Sequence, residues 1–286
     1  MEERLRHRAR IIYAGAGTSG RHAVQDGTEL VPAFDWPEDR LLFLIAGGKD
    51  ALWRSVEGVE DDLDQAAQFL AHHEVSANDV VIVVAASGTT PFAVAALRTA
   101  KRRGALTIGI ANNVDTPILQ ESDCPVWLDT GSEVIAGSTR LKAGTAQKIT
   151  LNALSSLLMI RLGKVYSGLM TDVRATNEKL LRRSERILRQ LTGHNLIDAR
   201  GALQRAGGNL KVAALLLKGF EPGEAERILT DSDGDCARLS PIFRSLAILK
   251  NAPAFHVQLG DLVLANEQGP MPPAAPATHA TLKRAS

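Results

Sequence analysis

Three short runs in this chain set glycine beside hydroxyl side chains: Gly17-Thr18-Ser19-Gly20, Ser87-Gly88-Thr89-Thr90 and Gly137-Ser138-Thr139. Glycine lets the backbone approach a ligand closely, and hydroxyls with freed N–H groups suit a phosphate at a helix N-terminus. One such turn alone is ordinarily a helix N-cap. Three of them point to a phosphate or a phosphorylated sugar. The first run holds no lysine, and G-x-x-x-x-G-K-[ST] occurs nowhere, which excludes a nucleotide-hydrolysing P-loop. Carboxylates supply the other half of a possible chemistry. Glu29 follows the first loop, and Glu57, Glu60 and Asp61 follow the turn Gly47-Gly48. Each alone reads as solvated surface, the usual place for charge. Two of them facing a sugar could remove and return protons, if burial tunes their acidity. Arg140 and Lys142, just after Ser138-Thr139, offer cations for an anion, although basic residues are also common on surfaces.

Gly15, Gly17 and Gly20 also satisfy G-x-G-x-x-G, so a dinucleotide site is a rival reading. That rival expects an acidic residue about 20 positions on, closing a second strand. Here Asp35 and Glu38 stand before the next apolar run rather than at its end. His22, His72 and His73 make no metal-ligand spacing.

The elements that must position these groups follow a regular rhythm. Apolar runs at Ile11–Tyr13, Leu41–Ala46, Val80–Ala86, Leu106–Ala111 and Pro125–Leu128 read as strands, the third apolar throughout, as in a parallel sheet covered on both faces. Helices are expected over Gly20–Leu30, Asp50–Leu70, Phe92–Arg103 with Pro91 near the first turn, about Lys148–Leu162, and Tyr166–Leu191. In the first, Arg21, Gln25 and Glu29 share a face; in the second, Glu57, Glu60 and Asp61 do. Met1–Arg10 allows one or two helical turns. Strand–loop–helix alternation predicts an α/β fold with an open, doubly wound, five-stranded parallel sheet, whose ligands bind beyond the carboxyl ends of the strands. After Asn195 three short helices follow, at 197–206, 210–218 and 222–229, resembling a small module of ubiquitin-associated type. The expected division is 1–193 for the sheet domain and its helices, 194–240 for the helical module, and 241–286 for an ambiguous region with a Pro/Ala-rich, disordered tail.

The chain has 286 residues, 33 basic and 32 acidic, a formal charge of +1, so nothing in its net charge draws it to nucleic acid or anionic membrane. Two distant cysteines, Cys124 and Cys236, make no redox or metal pair. The charged N-terminus is not a signal peptide and no apolar run reaches membrane-spanning length. A cytoplasmic protein is expected.

Four stretches carry a resemblance. G-A-G-T-S-G-R (Gly15–Arg21), E-G-V-E-D (Glu57–Asp61), A-A-S-G-T-T-P (Ala85–Pro91) and G-S-T-R-L-K-A-G-T-A-Q-K (Gly137–Lys148) resemble the N-acetylmuramic acid 6-phosphate etherases, and Leu162–Leu180 extends the likeness. The resemblance implies a sugar isomerase (SIS) fold and a lyase that removes D-lactate from C3 and adds water, with no metal or nucleotide cofactor. It places the two catalytic glutamates at Glu29 and Glu60. It assigns the sugar phosphate to Gly17, Thr18, Ser19, Glu57, Ser87, Gly88, Thr89 and Thr90, with Ser138 and Lys142 nearby. It also implies a homodimer. The family's wording differs after Arg21, at Thr89, where an arginine is frequent, and at Ser132. The alternative is a non-catalytic sugar-phosphate binder of the glucokinase-regulator type, which shares these motifs.

Overall fold

The computed structural model describes residues 1–173, 177–235 and 238–239. Five parallel strands form one sheet: β1 (Ile11–Gly15), β2 (Leu41–Ile45), β3 (Val80–Val84), β4 (Leu106–Ala111) and β5 (Cys124–Trp127), in the order β2-β1-β3-β4-β5. Register runs straight across the centre, with Ile11 beside both Leu41 and Val80. β1 and β3 are buried along their whole length because helices cover both faces. One face packs under α3 (Leu63–His72) and α4 (Pro91–Arg102), through Leu70, Phe92 and Leu97. The other packs under α1 (Glu2–Arg6), α2 (Gly17–Phe34) and α6 (Lys142–Arg161), through Leu5, Leu30, Leu151 and Met159. A short α5 (Pro117–Glu121) joins β4 to β5. The strand order reverses between β1 and β3, so the loops leaving those two strands diverge to opposite faces and open a crevice at their carboxyl ends. Among the described residues no helix is long and apolar enough to cross a membrane.

Two expected helices are corrected. Asp50–Leu70 is not one helix. A 3-10 helix (Gly48–Leu52) leads into irregular backbone, and a 3-10 turn (Val59–Asp61) precedes α3. Gly58 holds φ at 73°, left-handed backbone that an α-helix cannot contain, and Asp62 starts α3 afresh by accepting Gln65 N–H at 2.9 Å. Glu57, Glu60 and Asp61 therefore do not share an α-helical face. Tyr166–Leu191 is not one helix either: β6 (Val165–Tyr166) and β7 (Leu169–Met170) form a hairpin, and α7 spans Glu178–Thr192. The two central turn residues, Ser167 and Gly168, both have positive φ, as a tight hairpin turn requires. α7 shares its core with α8 (Leu196–Arg205) and α9 (Leu210–Leu217), and α10 (Pro222–Asp231) closes the helical module. The ambiguous region and expected tail over 241–286, and Cys236, lie outside the described residues.

The starts of β1 and β3 are pinned together by one carboxylate. Asp79 accepts Arg10 Nη2 at 2.7 Å, Arg10 Nε at 3.0 Å and the Ser76 N–H at 2.9 Å. Burial alone would raise its pKa, but Arg10 and the backbone N–H groups hold the carboxyl below its ordinary 3.8. A carboxyl so lowered stabilises the fold above the unfolded-state value, and that stabilisation disappears as acid protonates it. Asp79→Asn is therefore expected to be less stable at neutral pH, and to lose less further stability than the parent between about pH 5 and pH 2. Urea unfolding across that range checks it; parallel curves for the two proteins would contradict the assignment.

Candidate active site

The crevice is a cavity of about 520 Å³ at the carboxyl ends of β1, β2 and β3. Its floor is the turn from β1 into α2. Gly15 and Gly20 touch across that turn: a Cβ on Gly15 would lie 2.8 Å from the Val84 carbonyl oxygen, and one on Gly20 would lie 2.8 Å from the Gly15 oxygen. Only there does the absence of side chains let β1, β3 and the first turn of α2 meet. Gly17, Thr18 and Ser19 then line the cavity. α2 has no side-chain cap and no acidic residue in its first turn, so its N–H groups stay open to an incoming anion.

The turn from β3 into α4 supplies the second wall. Ser87 Oγ lies 3.1 Å from Thr90 Oγ1 and accepts the Thr89 N–H at 3.2 Å, so both hydroxyls are held at the cavity edge. Gly88 is buried with φ 71° and packs against Thr116, where any Cβ would clash. Thr89 is exposed and lines a separate groove between α3 and α4.

The third wall is the strap between β5 and α6, through Gly137, Ser138, Thr139 and Arg140. Here the helix terminus is already filled. Glu133 accepts the N–H groups of Ala143 at 2.9 Å and Lys142 at 3.0 Å, and these bonds hold its carboxyl below the ordinary value. Lys142 itself is exposed and absent from the cavity lining.

Glu60 stands opposite the phosphate-type loop. It sits in the 3-10 turn after Gly58, lines the cavity, and brings Oε1 to 3.0 Å from the point where a Cβ on Gly17 would lie. Arg21 anchors the irregular segment leading to that turn, donating from Nε to the Ala51 oxygen (2.8 Å) and from Nη2 to the Arg54 oxygen (3.1 Å). Glu57 is exposed and does not line the cavity. Neither does Glu29. It is exposed on α2, twelve residues beyond Gly17, about 18 Å along the helix axis at 1.5 Å per residue.

Of the residues expected from sequence, Gly17, Thr18, Ser19, Glu60, Ser87, Thr90 and Ser138 converge on one cavity, with Gly88 buried behind it. Thr139 and Arg140, both offered by the sequence, line it too, and Arg21 and Ser55 join them without having been chosen. Arg21 was legible as the residue that directly follows the loop. Ser55 was not, because it reaches the cavity only where the expected helix is broken. Among the described residues no group of His, Cys, Asp and Glu could hold a metal ion.

A buried carboxylate sets the two helix termini side by side. Asp26 on α2 accepts the Tyr13 hydroxyl (2.8 Å), Asn152 Nδ2 (2.7 Å) and Ser155 Oγ (2.9 Å), joining α2 to β1 and α6. Burial, reinforced by this carboxylate, pushes the Tyr13 phenol well above its ordinary value. One turn from the cavity, burial pushes His22 down, and its Nε2 is 3.2 Å from where a Cβ on Gly144 would lie.

Asp26→Ala strands several buried polar groups and should cost about 1–3 kcal/mol in urea unfolding; an unchanged midpoint would show that the network is not holding the helices. Gly17→Ala should cost about 1–2 kcal/mol for its left-handed backbone. Part of the loss is expected to return when Glu60→Ala removes the neighbouring carboxylate. A double-mutant cycle with no coupling would place Glu60 away from Gly17 in solution.

Residues 1–101 match the glucokinase regulatory protein N-terminal SIS domain family, and residues 59–157 match the SIS domain family. The N-acetylmuramic acid 6-phosphate etherase of Deinococcus radiodurans is 51% identical over 231 residues, covering 80% of this chain and 76% of the relative. The etherase of Streptomyces avermitilis is 46% identical over 233 residues, covering 81% and 75%. That of Rhodopirellula baltica is 42% identical over 238 residues, covering 83% and 79%.

Proposed function

The chain belongs to the N-acetylmuramic acid 6-phosphate etherase family, and from that premise we propose that it is a carbon–oxygen lyase converting N-acetylmuramic acid 6-phosphate and water to N-acetylglucosamine 6-phosphate and D-lactate. The observation that carries the proposal is the meeting of Glu60 with the hydroxyl loops Thr18-Ser19, Ser87/Thr90 and Ser138 in one cavity. The phosphate sits at the open N-terminus of α2 and against the hydroxyls. In the ring-opened sugar the C2 proton is acidic because it is α to the C1 aldehyde, and Glu60 removes it. The C3–oxygen bond then breaks, its electron pair leaving with lactate, which takes a proton from a second acid. Water adds at C3 of the unsaturated aldehyde and C2 regains a proton, so one water is consumed.

Glu29 is the second acid in this reading. At about 18 Å along α2 from Gly17 it lies far beyond the distance from the phosphate to C3 of the same hexose. It therefore acts from a second copy of the chain, and the working unit is a homodimer whose sites are shared.

D-lactate release by the intact chain tests the reaction. Glu60→Ala and Glu29→Ala are each expected to lower it by about 10²-fold or more. Mixing the two inactive variants should restore about a quarter of the activity if each site draws Glu29 from the partner; no restoration would mean that it does not. The match of residues 1–101 to the glucokinase regulatory protein family favours one other reading, a sugar-phosphate binder without turnover. No lactate release, with the sugar phosphate still raising Tm, would support it.

A further inference from the structure

We propose that Arg140 holds the carboxylate of the substrate's lactyl group and so selects muramic over glucosamine 6-phosphates; the proposal rests on the etherase reading above. The substrate of that reaction carries two anions, a phosphate and a lactyl carboxylate, and the sugar product carries only the phosphate. The cavity provides for anions unequally. The N-terminus of α2 is open, with Thr18, Ser19, Ser87 and Thr90 around it, and needs no cation to receive a phosphate. The N-terminus of α6 is closed to anions, because Glu133 occupies the N–H groups of Lys142 and Ala143. Two arginines line the cavity. Arg21 spends Nε and Nη2 on the carbonyls of Ala51 and Arg54, which fixes it as part of the wall. Arg140 has no hydrogen-bond or ion-pair partner among the described residues, and it is exposed at the strap beside Ser138 and Thr139. It is the cavity's uncommitted fork of N–H donors, and a planar carboxylate is what such a fork matches in two parallel hydrogen bonds. Once the ether bond breaks, lactate keeps that anchor while the sugar product has none, so the two products leave independently.

The test is affinity for two ligands, measured by calorimetry in a Glu60→Gln background that suppresses turnover. Arg140→Ala should weaken N-acetylmuramic acid 6-phosphate by on the order of 10- to 100-fold, as loss of a charge-assisted pair does, and leave N-acetylglucosamine 6-phosphate within about two-fold. Arg140→Lys should recover only part of the loss, since a point charge replaces a fork. Equal weakening of both sugars would assign Arg140 to the phosphate and overturn the proposal, as would no change in either. The etherase reading fails separately, if the unmodified chain releases no D-lactate from N-acetylmuramic acid 6-phosphate.

Discussion

Everything at the site depends on a contact between two backbones. Gly15 and Gly20 meet across the turn that leaves β1, with the Val84 carbonyl against them, and no side chain fits between. Because the strand order reverses at β1 and β3, the loops after these strands part to opposite faces, and the first turn of α2 is left pointing into the gap. The helix must begin at once for its N–H groups to face a ligand, and the missing Cβ atoms permit that. Without this approach the hydroxyls of Thr18, Ser19, Ser87 and Thr90 would belong to separate turns.

A second constraint brings α6 alongside. Asp26 is buried and, among the described residues, pairs with neither a lysine nor an arginine; it is satisfied by a phenol, an amide and a hydroxyl drawn from β1 and α6. Such a carboxylate is costly to leave unpaired, so it specifies one arrangement of the three elements. The two helix termini thus brought together are not equivalent. That of α2 is bare, and that of α6 is neutralised by Glu133. The cavity is in this way graded from an anion-receptive floor to a strap where Arg140, unpaired among the described residues, offers a cation.

The carboxylates show why charge placement is harder to read than glycine placement. Glu29 stays on α2 as expected, yet a helix carries it steadily away from its own N-terminus, so nearness in sequence becomes distance in space. Glu60 was expected on a helical face with Glu57 and Asp61. It reaches the cavity because Gly58 breaks the helix and the 3-10 turn after it swings the chain towards Gly17. Glu57, three residues earlier, is left in solvent.

The residues alone determined the alternating architecture, the five strands and the glycine–hydroxyl turns of the floor and the second wall, because those features are local: a run of β-branched residues, a glycine where the chain must bend, a proline at the start of α4. They also carried the family likeness. Tertiary structure decided which nominated groups share a cavity. It set Lys142 and Thr89 aside, left Glu29 outside the cavity, and drew in Arg21 and Ser55. It also replaced the start of one long expected helix by a hairpin turning at Ser167-Gly168, where both residues take positive φ, and left α7 as the rest. These outcomes turn on left-handed backbone at Gly58 and Gly168, on the burial of Asp26, and on the occupation of the α6 terminus by Glu133. Each is settled by groups distant in sequence, or by a backbone angle that residue type permits but does not impose.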